Sequence, residues 1–158
     1  MLVATATTTA ALGIAATAGK VALAATGAAA ISKAVENKYE KRMQPNYTVY
    51  RLVDYNDGGK TKYVGRTVNV AARQNAHAND PSKAGLSFEP IASGLNYYQA
   101  RGLEQIAMLE YNTRSALNRI NGISPQNRNL NAYMAAGRDV AHYIDNQISN
   151  EILYWTGN

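Results

Sequence analysis

Cysteine is absent from the chain. That excludes a disulfide framework, a thiolate nucleophile and cysteine-based zinc sites. Histidine is scarce: His77 and His142 are the two present, too few for a histidine-rich metal site. Phe and Trp occur once each, against 11 Tyr. Tyrosine combines a flat ring with a hydroxyl, which suits polar sites and nucleic-acid contacts, although half-buried surface tyrosines are the commoner case. Acidic side chains are outnumbered, 11 Asp and Glu to 16 Lys and Arg, for a net charge of +5. A basic balance favours acidic partners, nucleic acid first among them. With 158 residues, the chain has room for one domain and an appendage.

Composition shifts near Ile31. Met1 to Ile31 is almost all Ala, Thr, Gly, Val and Leu, with Lys20 its one charge. It reads first as an Ala-rich leader or packed helix. A membrane-interacting role for residues 1–31 is the second reading. Frequent Thr and Gly argue against a transmembrane span. A signal peptide is the third reading, and it would lack a basic start. Ser32 to Gln44 is charged and helix-compatible, and Pro45 should end that helix. The expected division is a leader and linker over 1–44 and a folded domain over 45–158.

That domain opens with a strand pattern, Tyr47 to Asp54, rich in β-branched and aromatic residues. Asn56-Asp57-Gly58-Gly59 reads as a hairpin turn, and Lys60 to Gly65 as the returning strand. Asn69 can cap a helix running through Arg73 and His77, which Asn79-Asp80-Pro81 stops. A short third strand is expected over Leu86–Ile91. Asn96 to Tyr111 reads as a helix with Ala100, Leu103 and Ala107 on its apolar stripe. An Asn-rich loop follows Leu117, and a last helix runs from about Leu130 to Tyr154.

Thr48-Val49-Tyr50 and Tyr63-Val64-Gly65 lie on the two strands of one hairpin. They resemble the two tripeptides of the GIY-YIG nucleases, a superfamily that includes homing endonucleases, the incision subunit of nucleotide-excision repair and some restriction enzymes. The first tripeptide differs at Thr48 and Val49 but keeps its tyrosine. The stretch after Tyr63-Val64-Gly65 resembles the family's path to a helix-borne arginine, here Arg73. His77 falls one turn later, where many members carry histidine or tyrosine. Glu104 is the best match to the family's metal-binding glutamate. Asn118, with Asn121 second, matches its late asparagine. The ordered set covers about half the chain and is far more specific than either tripeptide.

The resemblance implies an α/β (α+β) domain, with a small central antiparallel three-stranded sheet flanked by helices. It implies metal-dependent hydrolysis of phosphodiester bonds, with Tyr50, Tyr63, Arg73, His77, Glu104 and Asn118 as site residues, Glu104 as metal ligand, and Mg²⁺ or Mn²⁺ as cofactor. One carboxylate suits one hard cation that keeps most of its waters. Arg73 can meet a phosphate with its planar fork, and His77 shares its helix face. Tyr63 resembles the family's general base. A free tyrosine has a pKa near 10, so His77 is the competing base. DNA is the expected substrate and RNA the first alternative.

Gln99 to Gln105, with Leu117 to Pro125, is similar to the C-terminal toxin domains of bacterial Rhs and related polymorphic toxins. That implies an effector delivered into a target-cell cytoplasm and a cognate immunity protein that blocks the site. Two readings from other classes stand beside this one: a membrane-active toxin fragment acting through residues 1–31, and a nuclease-like binding module without catalysis. Each residue also has a plain structural reading. Tyr50 and Tyr63 could be cross-strand neighbours, and Arg73 and His77 an exposed helix face. Glu104 could pair with Arg101, Asn118 could end a helix or turn, and His142 could be structural. Glu110 is the lesser candidate ligand.

Overall fold

The structure, a computed structural model, describes residues 25–156 and the side chains of residues 33–145. The leader reading, with its membrane and signal-peptide alternatives, falls mostly on residues 1–24, outside those described. Among the described residues, no helix is long and apolar enough to cross a membrane. The described residues fall into two units, divided between Lys41 and Arg42. Helix α1 (Ala25–Met43) begins earlier than the charged pattern implied and stops two residues before Pro45. Pro45 disfavours helical geometry at the residue before it, which accounts for the stop.

The second unit is α+β. Strands β1 (Tyr47–Asp54), β2 (Lys60–Thr67) and β3 (Ser87–Leu95) form an antiparallel sheet in the order β2-β1-β3. Helices α2 (Val70–Ala78), α3 (Tyr97–Glu110) and α4 (Leu130–Thr156) accompany it. Being central, β1 is buried along most of its length, from Thr48 through Val53 with Arg51 half-exposed. Its β-branched and aromatic residues suit a strand packed on both faces.

At the hairpin, Gly58 and Gly59 take the left-handed φ angles of 62° and 75°, as the turn signal implied. Asn56 and Asp57 instead form part of a short 3₁₀ turn (Tyr55–Asp57), capped by the Asp54 side chain accepting from the Asn56 amide at 3.0 Å. Strand β3 runs four residues beyond the expected Ile91. Ala92-Ser93-Gly94 resembles a turn, but the β1–β3 register shifts on either side of Val49, and Gly94 lies at φ 71°. Such irregularities let a strand continue past a glycine.

Both site helices are capped as their sequences suggest. Asn69 accepts from the Ala72 amide at 3.0 Å. Asn96 and Gln99 form a reciprocal capping box at the start of α3. The stripe residues Ala100, Leu103 and Ala107, joined by Met108, pack on Val49, Val64 and Leu95 to make the core. Across its other side α3 meets α4 at Gly102 and Gly137. A Cβ at either glycine would overlap main-chain atoms of the opposite helix, so this crossing requires two residues without side chains.

Candidate active site

Strand alternation decides which groups meet. Tyr50 pairs in register with Gly65, and Leu52 with Tyr63. Tyr50, Tyr63 and Gly65 therefore share one face of the sheet. The two tyrosine rings have centroids 6.2 Å apart, and Phe88 stacks on Tyr50 at 4.2 Å. Gly65 makes the arrangement fit. A Cβ there would come within 2.5 Å of the Tyr50 hydroxyl and 2.8 Å of the Tyr63 ring. The glycine of the second tripeptide thus serves close packing, with no left-handed φ involved.

Among the described residues of α2, only His77 is buried. Its Nε2 lies 2.8 Å from the Tyr50 hydroxyl, and its ring stands edge-on to Tyr63 at 5.4 Å. This contact ties α2 to the sheet, and α2 carries the exposed Arg73. Burial pushes the His77 pKa below its ordinary value, helped by the nearby Arg73 and Lys83 cations. Burial also pushes the Tyr50 phenol well above its ordinary value, with the neighbouring Tyr63 adding to the rise and Arg73 opposing it. The pair is accordingly held neutral: a phenol and an uncharged imidazole sharing one hydrogen bond.

Arg66, next to Gly65, points to the opposite face and forms an ion pair with Glu104 of α3. Burial raises the Glu104 pKa above the usual carboxylate value, while Arg66 and Arg101 pull it back. The plain structural reading of Glu104 paired it with Arg101; Arg101 instead hydrogen-bonds to the Tyr97 hydroxyl, and the partner of Glu104 is Arg66 from the sheet.

These groups meet in a cleft of about 420 Å³ lined by Tyr63, Arg66, Arg73 and Glu104, with Tyr47 and Tyr97 at its sides. Three of the expected site residues share its wall. Tyr50 and His77 form a buried layer in contact with Tyr63.

Asn118 has a different position. Its side chain accepts from the Val64 amide at 2.7 Å and donates to the Val64 carbonyl at 2.8 Å. Leu117 adds a bond from its amide to the Lys62 carbonyl at 3.0 Å. The loop thereby takes the place of a fourth strand along the open edge of β2. Farther on, the Ile123 amide donates to Gln105 at 3.0 Å. Gly122 lies beside Glu104, where a Cβ would come within 2.9 Å of Oε2. Asn121 accepts from Arg114 at 3.1 Å. Glu110 and His142 are exposed and line no part of the cleft.

The group that could take a hard cation is the Glu104 carboxylate. Among the described residues, no cluster of three or more His, Asp or Glu side chains could ligate a metal. Glu104 is buried and already ion-paired with Arg66, so a single cation on this carboxylate would keep most of its waters.

No protein-family model, curated protein or solved structure matches this chain.

Arg66 and Gln105 were not singled out from sequence. Arg66 sits beside the second tripeptide, and strand alternation would have aimed it toward α3. Gln105 carried no signal, because a polar residue next to a helical stripe is ordinarily solvated.

Proposed function

We propose that the 45–158 domain is a GIY-YIG-type endonuclease that hydrolyses phosphodiester bonds in DNA with Mg²⁺ or Mn²⁺. The observation that carries this reading is one cleft holding a tyrosine, two arginines and a carboxylate, with a neutral Tyr50–His77 pair beneath the tyrosine. Hydrolysis of a phosphodiester needs an activated water, cations on the phosphoryl oxygens and help for the leaving oxygen. The cleft has a candidate for each role.

Arg73 meets the non-bridging oxygens with its fork. Arg66 adds a second cation beside the developing charge. Tyr63, half-buried on the cleft wall, takes the proton of the attacking water at its hydroxyl oxygen as it passes its own proton to a non-bridging phosphoryl oxygen. The water oxygen bonds to phosphorus, the bond from phosphorus to the leaving oxygen breaks, and the phosphoryl proton passes to that leaving oxygen, which departs as an alcohol. Glu104 would hold the cation, which when bound would supply Lewis-acid polarisation of a phosphoryl oxygen. Tyr50 and His77 act as positioning residues. Burial keeps Tyr50 a phenol, and the Nε2 of His77 is occupied by Tyr50, which favours Tyr63 over His77 as the base. His77 also anchors the helix that bears Arg73. Asn118 holds the strand that bears Tyr63.

We further propose that this activity is that of an effector toxin acting in a target-cell cytoplasm and restrained by an immunity protein that covers the cleft. The test is plasmid nicking and tRNA degradation with Mg²⁺, with EDTA, and by the Glu104→Ala and Arg73→Ala proteins. Nicking that EDTA and both substitutions abolish is the expected result. Intact plasmid beside degraded tRNA would move the substrate to RNA. Full cleavage by Glu104→Ala would remove the metal assignment.

A further inference from the structure

Tyr63 is a wall of two cavities. On one side is the cleft already described. On the other is a groove of about 350 Å³ lined by Tyr63, Ser82, Lys83, Asn118, Arg119 and Ile120, with Leu117 at its base. That volume lies at the small end of ligand sites, roughly 300–1,000 Å³. Arg119 and Ile120 are exposed, and Ile120 is 78% accessible. Lys83 places its ammonium 5.5 Å from the centre of the Tyr63 ring and pairs with Asp80. Arg119 is therefore the groove's less neutralised cation.

The loop that carries Arg119 and Ile120 is tethered on both sides. Leu117 and Asn118 bind the edge of β2, and Ile123 binds Gln105 of α3. Between the tethers, a cation and a large apolar side chain are held out to solvent beside the candidate catalytic tyrosine. Tethering alone accounts for Asn118 and Ile123. It does not account for an exposed isoleucine at the lip of a basic groove.

We propose that this groove is a second nucleotide subsite, receiving the nucleotide next to the scissile phosphate. Arg119 contacts its phosphate and Ile120 lies against its base or sugar. A strand with its scissile phosphate in the cleft crosses Tyr63 and enters the groove, so the enzyme engages at least two adjacent nucleotides. Phosphate contacts position a strand, and an apolar contact with a base face or sugar adds affinity that tolerates any base. Ile120 then adds affinity that does not depend on salt. This inference rests on the nuclease reading of the cleft.

The test is binding by fluorescence anisotropy in EDTA, so that no strand is cut. The full chain is titrated with a short labelled DNA strand, the same strand as duplex, and an RNA strand, each over a salt series. Arg119→Ala is expected to weaken binding about tenfold and to reduce the salt slope by about 0.7–0.9, the loss of one phosphate contact. Ile120→Ala is expected to weaken it about threefold with the slope unchanged, a combination that loosening of the loop would not give. Arg73→Ala is the control from the cleft. Weakening by Arg73→Ala, with both loop variants binding as the parent does, would overturn the subsite and leave the nuclease reading in place. Absence of binding to all three probes by the parent chain would overturn the nuclease reading itself.

Discussion

Tyr50 and Tyr63 stand on one face of one hairpin, a few ångströms apart, and occupy opposite environments. Tyr50 is 1% exposed, stacked on Phe88, hydrogen-bonded to His77 and held as a phenol. Tyr63 lines the cleft with Arg66, Arg73 and Glu104. The same residue type thus serves a buried, neutral layer in one place and an accessible, charged wall in the other. The proposed chemistry draws on the accessible layer, and its geometry on the buried one. Substitutions in the two layers should separate accordingly.

The largest expected effect is on the accessible wall. Arg73→Ala should lower kcat/KM on DNA by about 10²–10³-fold and leave the melting temperature nearly unchanged, since Arg73 is exposed and surface changes cost at most about 0.5 kcal/mol. Cleavage rates and thermal melts on the same preparation measure both. Equal losses in rate and stability would blur the comparison.

Gly65→Ala tests the buried layer. The added methyl group meets the Tyr50 hydroxyl and the Tyr63 ring, so unfolding in urea should show a loss of about 1–3 kcal/mol from overpacking. A similar loss, about 1–3 kcal/mol, is expected for Asn118→Ala, which leaves the Val64 amide and carbonyl without their side-chain partner. A variant that melts like the parent would remove Asn118 from its positioning role.

The smallest effect concerns pH. The folded His77 pKa lies below its ordinary value of 6.5, so the folded state binds this proton less readily than the unfolded chain. Its contribution to stability is present above pH 6.5 and is lost as pH falls from there through the folded value. Melting temperatures measured from neutral to acidic pH should decline more steeply for the parent than for His77→Asn. Parallel curves would contradict the burial of a neutral imidazole.

Much of the fold was legible because local signals agreed with the tertiary structure. The Gly58-Gly59 turn, the Asn69 and Asn96 caps and the Ala100-Leu103-Ala107 stripe each carry their own mechanism. The end of β3 was missed because its irregular pairing with β1, which lets the strand continue past Gly94, has no local mark. Within the site, Tyr63, Arg73 and Glu104 were legible as candidates sharing one cleft. The burial of Tyr50 and the pairing of Glu104 with Arg66 were not. Burial depends on Phe88 and His77 arriving from other elements, and the ion pair joins residues 38 positions apart. Asn118 was found by its place in the chain, whereas its partner, the Val64 main chain, depends on how the loop returns to β2.

The most direct measurement compares Tyr63→Phe with Tyr50→Phe, scoring DNA cleavage with Mg²⁺ and thermal stability side by side. Tyr63→Phe is expected to lose at least about 10²-fold in rate with an unchanged melting temperature. Tyr50→Phe is expected to lose stability first, by about 1–2 kcal/mol, with a smaller loss of rate. Cleavage by Tyr63→Phe at the parent rate would contradict the role given to this tyrosine and, with it, the nuclease mechanism proposed for the cleft.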